Sequence, residues 1–169
     1  MLYKITLPSL LLSLLFFTSG TYASTDTLVV VFGVVKNIGT GDTLTQYTVV
    51  ATDAADPAHM VQGTVSNGRY ELNLMEVRTY RITYSAAGHI PKVVEVQMAG
   101  PSEEDWNGGY GMHVDVLLLD QSGDVDGALF NEPFGISRFN SASGNFEWDQ
   151  EHTRKMRARQ AALLEEKGK

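Results

Sequence analysis

Apolar residues recur at every second position in short runs bounded by turn residues, the spacing of strands with one dry and one wet face. Tyr70, Leu72 and Leu74 alternate with Arg69, Glu71 and Asn73. Tyr80, Ile82, Tyr84 and Ala86 alternate with Arg81, Thr83 and Ser85, and Val94, Val96 and Met98 with Glu95 and Gln97. Met112, Val114, Val116 and Leu118 repeat the pattern against His113 and Asp115. Leu28 to Val35 is apolar throughout except Gly33, which suits a strand covered on both faces. Tyr47 to Thr52 and His59 to Val65 complete a set of about seven strands. Asn67-Gly68, between two of these runs, favours the positive φ angles of a tight hairpin turn. No helical period precedes residue 145, so the pattern predicts an all-β domain over residues 24–120, a seven-stranded antiparallel β-sandwich.

Beyond Leu119 the character changes. Asp120 to Gly127 is acidic and Gly-rich, and Phe130 to Trp148 is irregular, with a short hairpin predicted from Ile136–Phe139 and Asn145–Trp148 around Ser141 to Gly144. Asp149 stands as an N-cap for a helix from Gln150 to about Glu166. Trp148, His152, Met156 and Leu163 share one thin apolar face of it, and Arg154, Lys155 and Arg157 lie opposite. Residues 121–169 therefore read as an extension with a C-terminal α-helix.

The amino-terminal segment has another logic. Lys4 and the amino terminus precede an apolar run from Ile5 to Phe17, and Thr21-Tyr22-Ala23 places small residues where a signal peptidase reads. Residues 1–23 are expected to be a signal peptide cleaved after Ala23, and the protein to be exported, periplasmic or extracellular. The run is shorter than the ~20 residues a spanning helix needs, so no transmembrane span is expected after cleavage.

Charge sharpens the division between body and extension. The formal net charge is −7 over 169 residues. Ser24 to Asp149 holds 6 Lys and Arg against 17 Asp and Glu, a net of −11, whereas Gln150 to Lys169 holds 6 against 3, a net of +3. An acidic body excludes a general nucleic-acid binder, which needs a basic surface to displace counterions. With no cysteine there is neither a disulfide nor an acylated lipoprotein cysteine.

Val31-Phe32-Gly33-Val34-Val35, the loop Gly39-Thr40-Gly41-Asp42, Thr48-Val49-Val50-Ala51, Ser66-Asn67-Gly68-Arg69-Tyr70-Glu71-Leu72 and Tyr80 to Pro91 follow one another at telling intervals. In that order they resemble the carboxypeptidase regulatory-like family of prealbumin-like β-sandwich domains, over about residues 28 to 98. His89 stands where that family usually has an aromatic residue, and Asn67 where many members have Asp. The resemblance implies a noncatalytic accessory or assembly module in an exported protein.

The candidate chemistry is sparse. There is no Gly-x-Ser-x-Gly elbow and no nucleophile signature around any of the four histidines, so no catalytic residue and no cofactor is assigned. His113 and Asp115 share a strand face but supply only two ligands where zinc takes three or four, and no metal site is assigned. Asp120 to Gly127 is similar to a calcium loop, yet Ser122 would replace the first Asp and Pro133 the bidentate Glu; an acidic turn is the simpler reading. Trp106 and Tyr110, on the acidic glycine loop Glu103 to Gly111, either cap the edge of the sandwich or stack on a sugar or partner. Arg154 and Arg157 are either a solvated face or a docking surface for an acidic partner. The expectation is a noncatalytic exported binding or assembly module of the bacterial cell envelope, with an envelope protein or a glycan as partner. The alternative is a carbohydrate-binding accessory protein using the Trp106 to Tyr110 loop.

Overall fold

The alternating runs become strands, but more of them than the pattern predicts. The computed structural model describes residues 27–106, 108–121 and 132–167, with twelve strands and one helix among them. In chain order these are β1 (Val29–Asn37), β2 (Thr48–Asp53), β3 (Met60–Gln62), β4 (Thr64–Ser66), β5 (Arg69–Leu74) and β6 (Thr79–Ser85). Then come β7 (His89–Ile90), β8 (Lys92–Gln97), β9 (Tyr110–His113), β10 (Val116–Asp120), β11 (Gly135–Asn140), β12 (Asn145–Trp148) and α1 (Gln150–Lys167). Two six-stranded sheets result. The first runs β4-β5-β1-β10-β7 with β9 also on β1, and the second runs β12-β11-β8-β6-β2-β3.

The expected seven antiparallel strands are thus corrected in number and in direction. Both sheets are mixed, because β1 pairs in parallel with β9 and β10, and β8 pairs in parallel with β11. The run His59 to Val65 splits at Gly63, where the chain leaves the second sheet for the first: β3 pairs with β2 and β4 with β5. The run Met112 to Leu118 splits where the Val114 carbonyl turns out of the ladder and accepts the Tyr70 hydroxyl at 2.8 Å. The Val34 N–H then finds the Asp115 carboxylate, Oδ1, at 3.1 Å, so each displaced backbone group keeps a partner. Only glycine fits opposite this break, since a Cβ on Gly33 would lie 2.3 Å from the Val114 oxygen.

One core lies between the sheets. Val29, Val31, Leu72, Leu74 and Leu118 face it from the first sheet, and Val49, Ile82, Val96 and Met98 from the second. The Tyr70 and Tyr84 hydroxyls meet across it at 2.9 Å, which satisfies polar atoms that burial would otherwise strand. β1 is buried on one face rather than both: Val29, Val31 and Val35 are fully buried, whereas Phe32 is 40% exposed and stacks on His113. The hairpin between β4 and β5 turns as predicted, with φ of 51° at Asn67 and 74° at Gly68.

The extension is built onto the second sheet. Gly135 and Ser137 of β11 register with Val94 and Val96 of β8, and β12 folds back on β11 in the predicted hairpin. α1 then starts at its predicted cap, where Asp149 Oδ1 accepts the His152 N–H at 2.9 Å. Met156 and Gln160 are buried under the helix and His152 is half-buried, its Nε2 2.6 Å from the Pro133 carbonyl. Leu163 lies outside the described side chains, as do residues 1–23 and most of the acidic Asp120 to Gly127 turn outside the described residues. No helix among the described residues is long and apolar enough to cross a membrane.

Candidate functional site

The aromatic loop is folded back. Asp105 accepts both the backbone N–H and the hydroxyl of Ser102 at 2.8 Å, and these bonds hold its carboxyl below the usual range. The tight turn delivers Trp106 onto Tyr110 edge-to-face, with ring centres 5.5 Å apart. Tyr110 in turn meets Phe146 at 5.1 Å and Phe139 at 5.9 Å, both edge-to-face. Trp106 and Tyr110 are therefore half-buried members of a four-ring cluster, and the β11–β12 hairpin supplies the other two rings. Geometry of this kind is worth more in packing than in ligand capture, because the ring faces and edges are already in use.

Arg154 and Arg157 are placed differently. Both are exposed on α1, and among the described residues neither has an ion-pair partner, while Lys155 pairs with Glu151 and Arg159 with Glu132, each at 2.7 Å. The two guanidinium groups stand on a helix attached to a body of opposite net charge. Arg157 also reaches a cleft of about 450 Å³ between α1, β8 and β10, lined by Lys92, Asp115, Leu117, Phe134, Trp148 and Gln160 among others. The structure thus brings Arg154 and Arg157 together on one helix and keeps Trp106 and Tyr110 in a separate cluster.

Three other polar groupings are structural in character. Arg78 bonds Asp53 and Glu76 at 2.6 Å and ties the end of β2 to the start of β6. The Ala55 N–H, then Arg78, hold the Asp53 carboxyl low. Asn37 donates to Asp120 at 2.6 Å and lies 3.1 Å from His89, joining β1, β10 and β7. His113 and Asp115 form a pair at 3.0 Å, and the same Asp115 oxygen, Oδ1, accepts the Val34 N–H.

Lys92 is the functional candidate that pattern reading missed. It is 6% exposed, and its ammonium lies 4.1 Å from the centre of the Phe134 ring. Burial, and then the charge of Arg157, push its pKa down to about 8. The signal was in the sequence: Lys92 falls in phase with Val94, Val96 and Met98, on the dry face of its strand. Gln160, in phase with Met156 on the buried face of α1, is its counterpart from the helix. Compared with known proteins, the chain matches no family model and no curated protein.

Proposed function

We propose that the chain is a noncatalytic binding module of the bacterial cell envelope, exported to the periplasm or beyond, on a prealbumin-like sandwich of the carboxypeptidase regulatory-like kind. It works by docking an acidic protein on the face of α1 that carries Arg154 and Arg157. The observation that carries this reading is the pair of exposed guanidinium groups, without an ion-pair partner among the described residues, on a helix fixed to an acidic body. Such a charge arrangement speeds encounter with an acidic surface and makes it salt-sensitive. The carbohydrate alternative draws less support, since Trp106 and Tyr110 spend their ring surfaces on each other and on Phe146.

A photocrosslinking residue at exposed Ala158, introduced in cells that make the protein, tests the docking face. A discrete adduct with an acidic protein is expected, and it should disappear in the Arg154→Glu, Arg157→Glu double variant. An adduct that survives the double variant, or no adduct at all, refutes the docking role. Substrate turnover by the purified chain would refute the noncatalytic one.

A further inference from the structure

The cleft beneath α1 has two kinds of wall. Leu117, Phe134 and Trp148 offer apolar and aromatic surface, while Lys92, Arg157 and Gln160 offer hydrogen-bond donors and positive charge. Its volume of about 450 Å³ falls within the ordinary range for small-molecule sites. Two of the donors belong to buried side chains. Lys92 is 6% exposed, its ammonium 4.1 Å from the Phe134 ring centre with no carboxylate paired to it among the described residues, and the amide nitrogen of Gln160, 7% exposed, has no hydrogen-bond partner there. A ring face returns part of what an ammonium loses on leaving water, and the nearby Arg157 makes the deficit larger by repulsion. The single carboxylate on the described lining, Asp115, is held by His113 and the Val34 N–H.

We propose that this cleft binds a small amphipathic monocarboxylate, its apolar body against Leu117, Phe134 and Trp148 and its carboxylate received by Lys92, Arg157 and the Gln160 amide. The lining fixes the charge of the ligand as well as its shape. Among the Lys, Arg and carboxylate side chains of the lining, Lys92 and Arg157 against Asp115 leave one positive charge, which one carboxylate balances. A dianion such as phosphate would overshoot that charge and leave the aromatic wall bare. The site shares Arg157 with the docking face, but Lys92 belongs to this lining alone and Arg154 lies outside it.

Isothermal titration of the full chain with 2-naphthoate, and with 2-naphthalenemethanol as its neutral counterpart, tests the site. The acid should bind one-to-one and more tightly than the alcohol. Lys92→Met should weaken the acid by about tenfold or more, and Arg157→Gln by several-fold, because each removes a charge-assisted hydrogen bond. Affinity for the alcohol should stay unchanged in both, and Arg154→Gln should leave the acid's affinity unchanged. Equal affinity for acid and alcohol, absence of binding at millimolar acid, or an acid affinity indifferent to Lys92→Met would overturn the proposal. Should Lys92→Met fail to fold, the exposed Arg157→Gln decides alone, and an unchanged affinity there is equally fatal. Lys92→Met should preserve the Ala158 crosslink, so failure here and failure of the docking face are told apart.

Discussion

The core between the sheets and the seam under α1 handle buried polarity in opposite ways. In the core, Tyr70 bonds Tyr84 and the Val114 carbonyl, and Tyr47 donates to the Gly68 carbonyl at 3.0 Å. Where the extension meets the body, Lys92 has no counter-ion among the described residues, and the Ser137 hydroxyl and the Gln160 amide nitrogen are buried without partners. Tyr80 is the exception in the core, its hydroxyl also without a partner. Unsatisfied polar groups cost stability wherever they lie, so the seam, with Lys92, Ser137 and Gln160, is the less well compensated of the two regions.

The largest expected effect comes from breaking the well-satisfied side. Leu72 is fully buried between the sheets, and Leu72→Ala should cost about 3 kcal/mol through lost apolar burial and the cavity left behind. Urea unfolding followed by tryptophan fluorescence and by far-UV dichroism would measure it. A loss below about 1 kcal/mol would mean that the core is not the principal source of stability.

The seam should respond with the opposite sign. The pKa of Lys92 falls from 10.5 to about 8, which corresponds to about 3 kcal/mol against keeping the ammonium charged in the folded chain. Below pH 8 the folded and unfolded chains both carry that proton, so the folded chain bears the full penalty. Between pH 8 and 10.5 the folded amine releases its proton first, so stability should rise with pH across that window. The buried Tyr47, Tyr70, Tyr80 and Tyr84 have pKa values raised by burial, so they work against stability only as pH climbs past 10. Lys92→Met should therefore stabilise the protein at pH 7 by about 2 kcal/mol, less than the full penalty because the contact with the Phe134 ring changes too. It should also flatten the rise between pH 8 and 10, with Arg157, His113 and Asp115 still facing the cleft. A destabilised Lys92→Met at pH 7, or an unaltered pH profile, would remove the contrast between core and seam.

The two regions also differ in how far they could be read from residue order. β5, β6 and β8 follow the alternation of Tyr70 to Leu74, Tyr80 to Ser85 and Val94 to Gln97, because a half-buried strand writes its burial into every second residue. The β11–β12 hairpin and the Asp149 cap were legible from turn and cap chemistry. Parallel pairing of β1 with β9 and β10 was not, since a period of two says which face is dry and nothing about the neighbouring strand's direction. β7 has only two residues, too few to show any period. Trp106 and Tyr110 stood out as aromatic residues on a glycine loop, but their packing depends on Phe139 and Phe146 more than twenty-five residues further on. Lys92 disappears into the net charge of its segment, whereas its meaning lies in its phase with Val94 and Val96.

The smallest expected effect concerns how tightly the seam is coupled to the body. Asp149 caps α1 through the His152 N–H, and that bond, followed by the charges of Arg138 and His152, keeps its carboxyl below the usual range. Asp149→Ala removes the cap while leaving the Trp148 ring and the β11–β12 pairing in place. It should lower the Tm by roughly 3 °C, the usual consequence of losing an N-cap in a chain of this size. Because the carboxyl is held low, the wild-type contribution should persist down to about pH 4 and fade only as the carboxylate protonates below that, whereas the variant should show no such loss from this site. If α1 is anchored by Met156 and Gln160 as their burial indicates, helical ellipticity and the near-UV signal of the core should melt together in the variant. Separate transitions, with the helix lost first, would mean that the cleft opens without unfolding the sandwich, and that the seam is an independent, weaker unit.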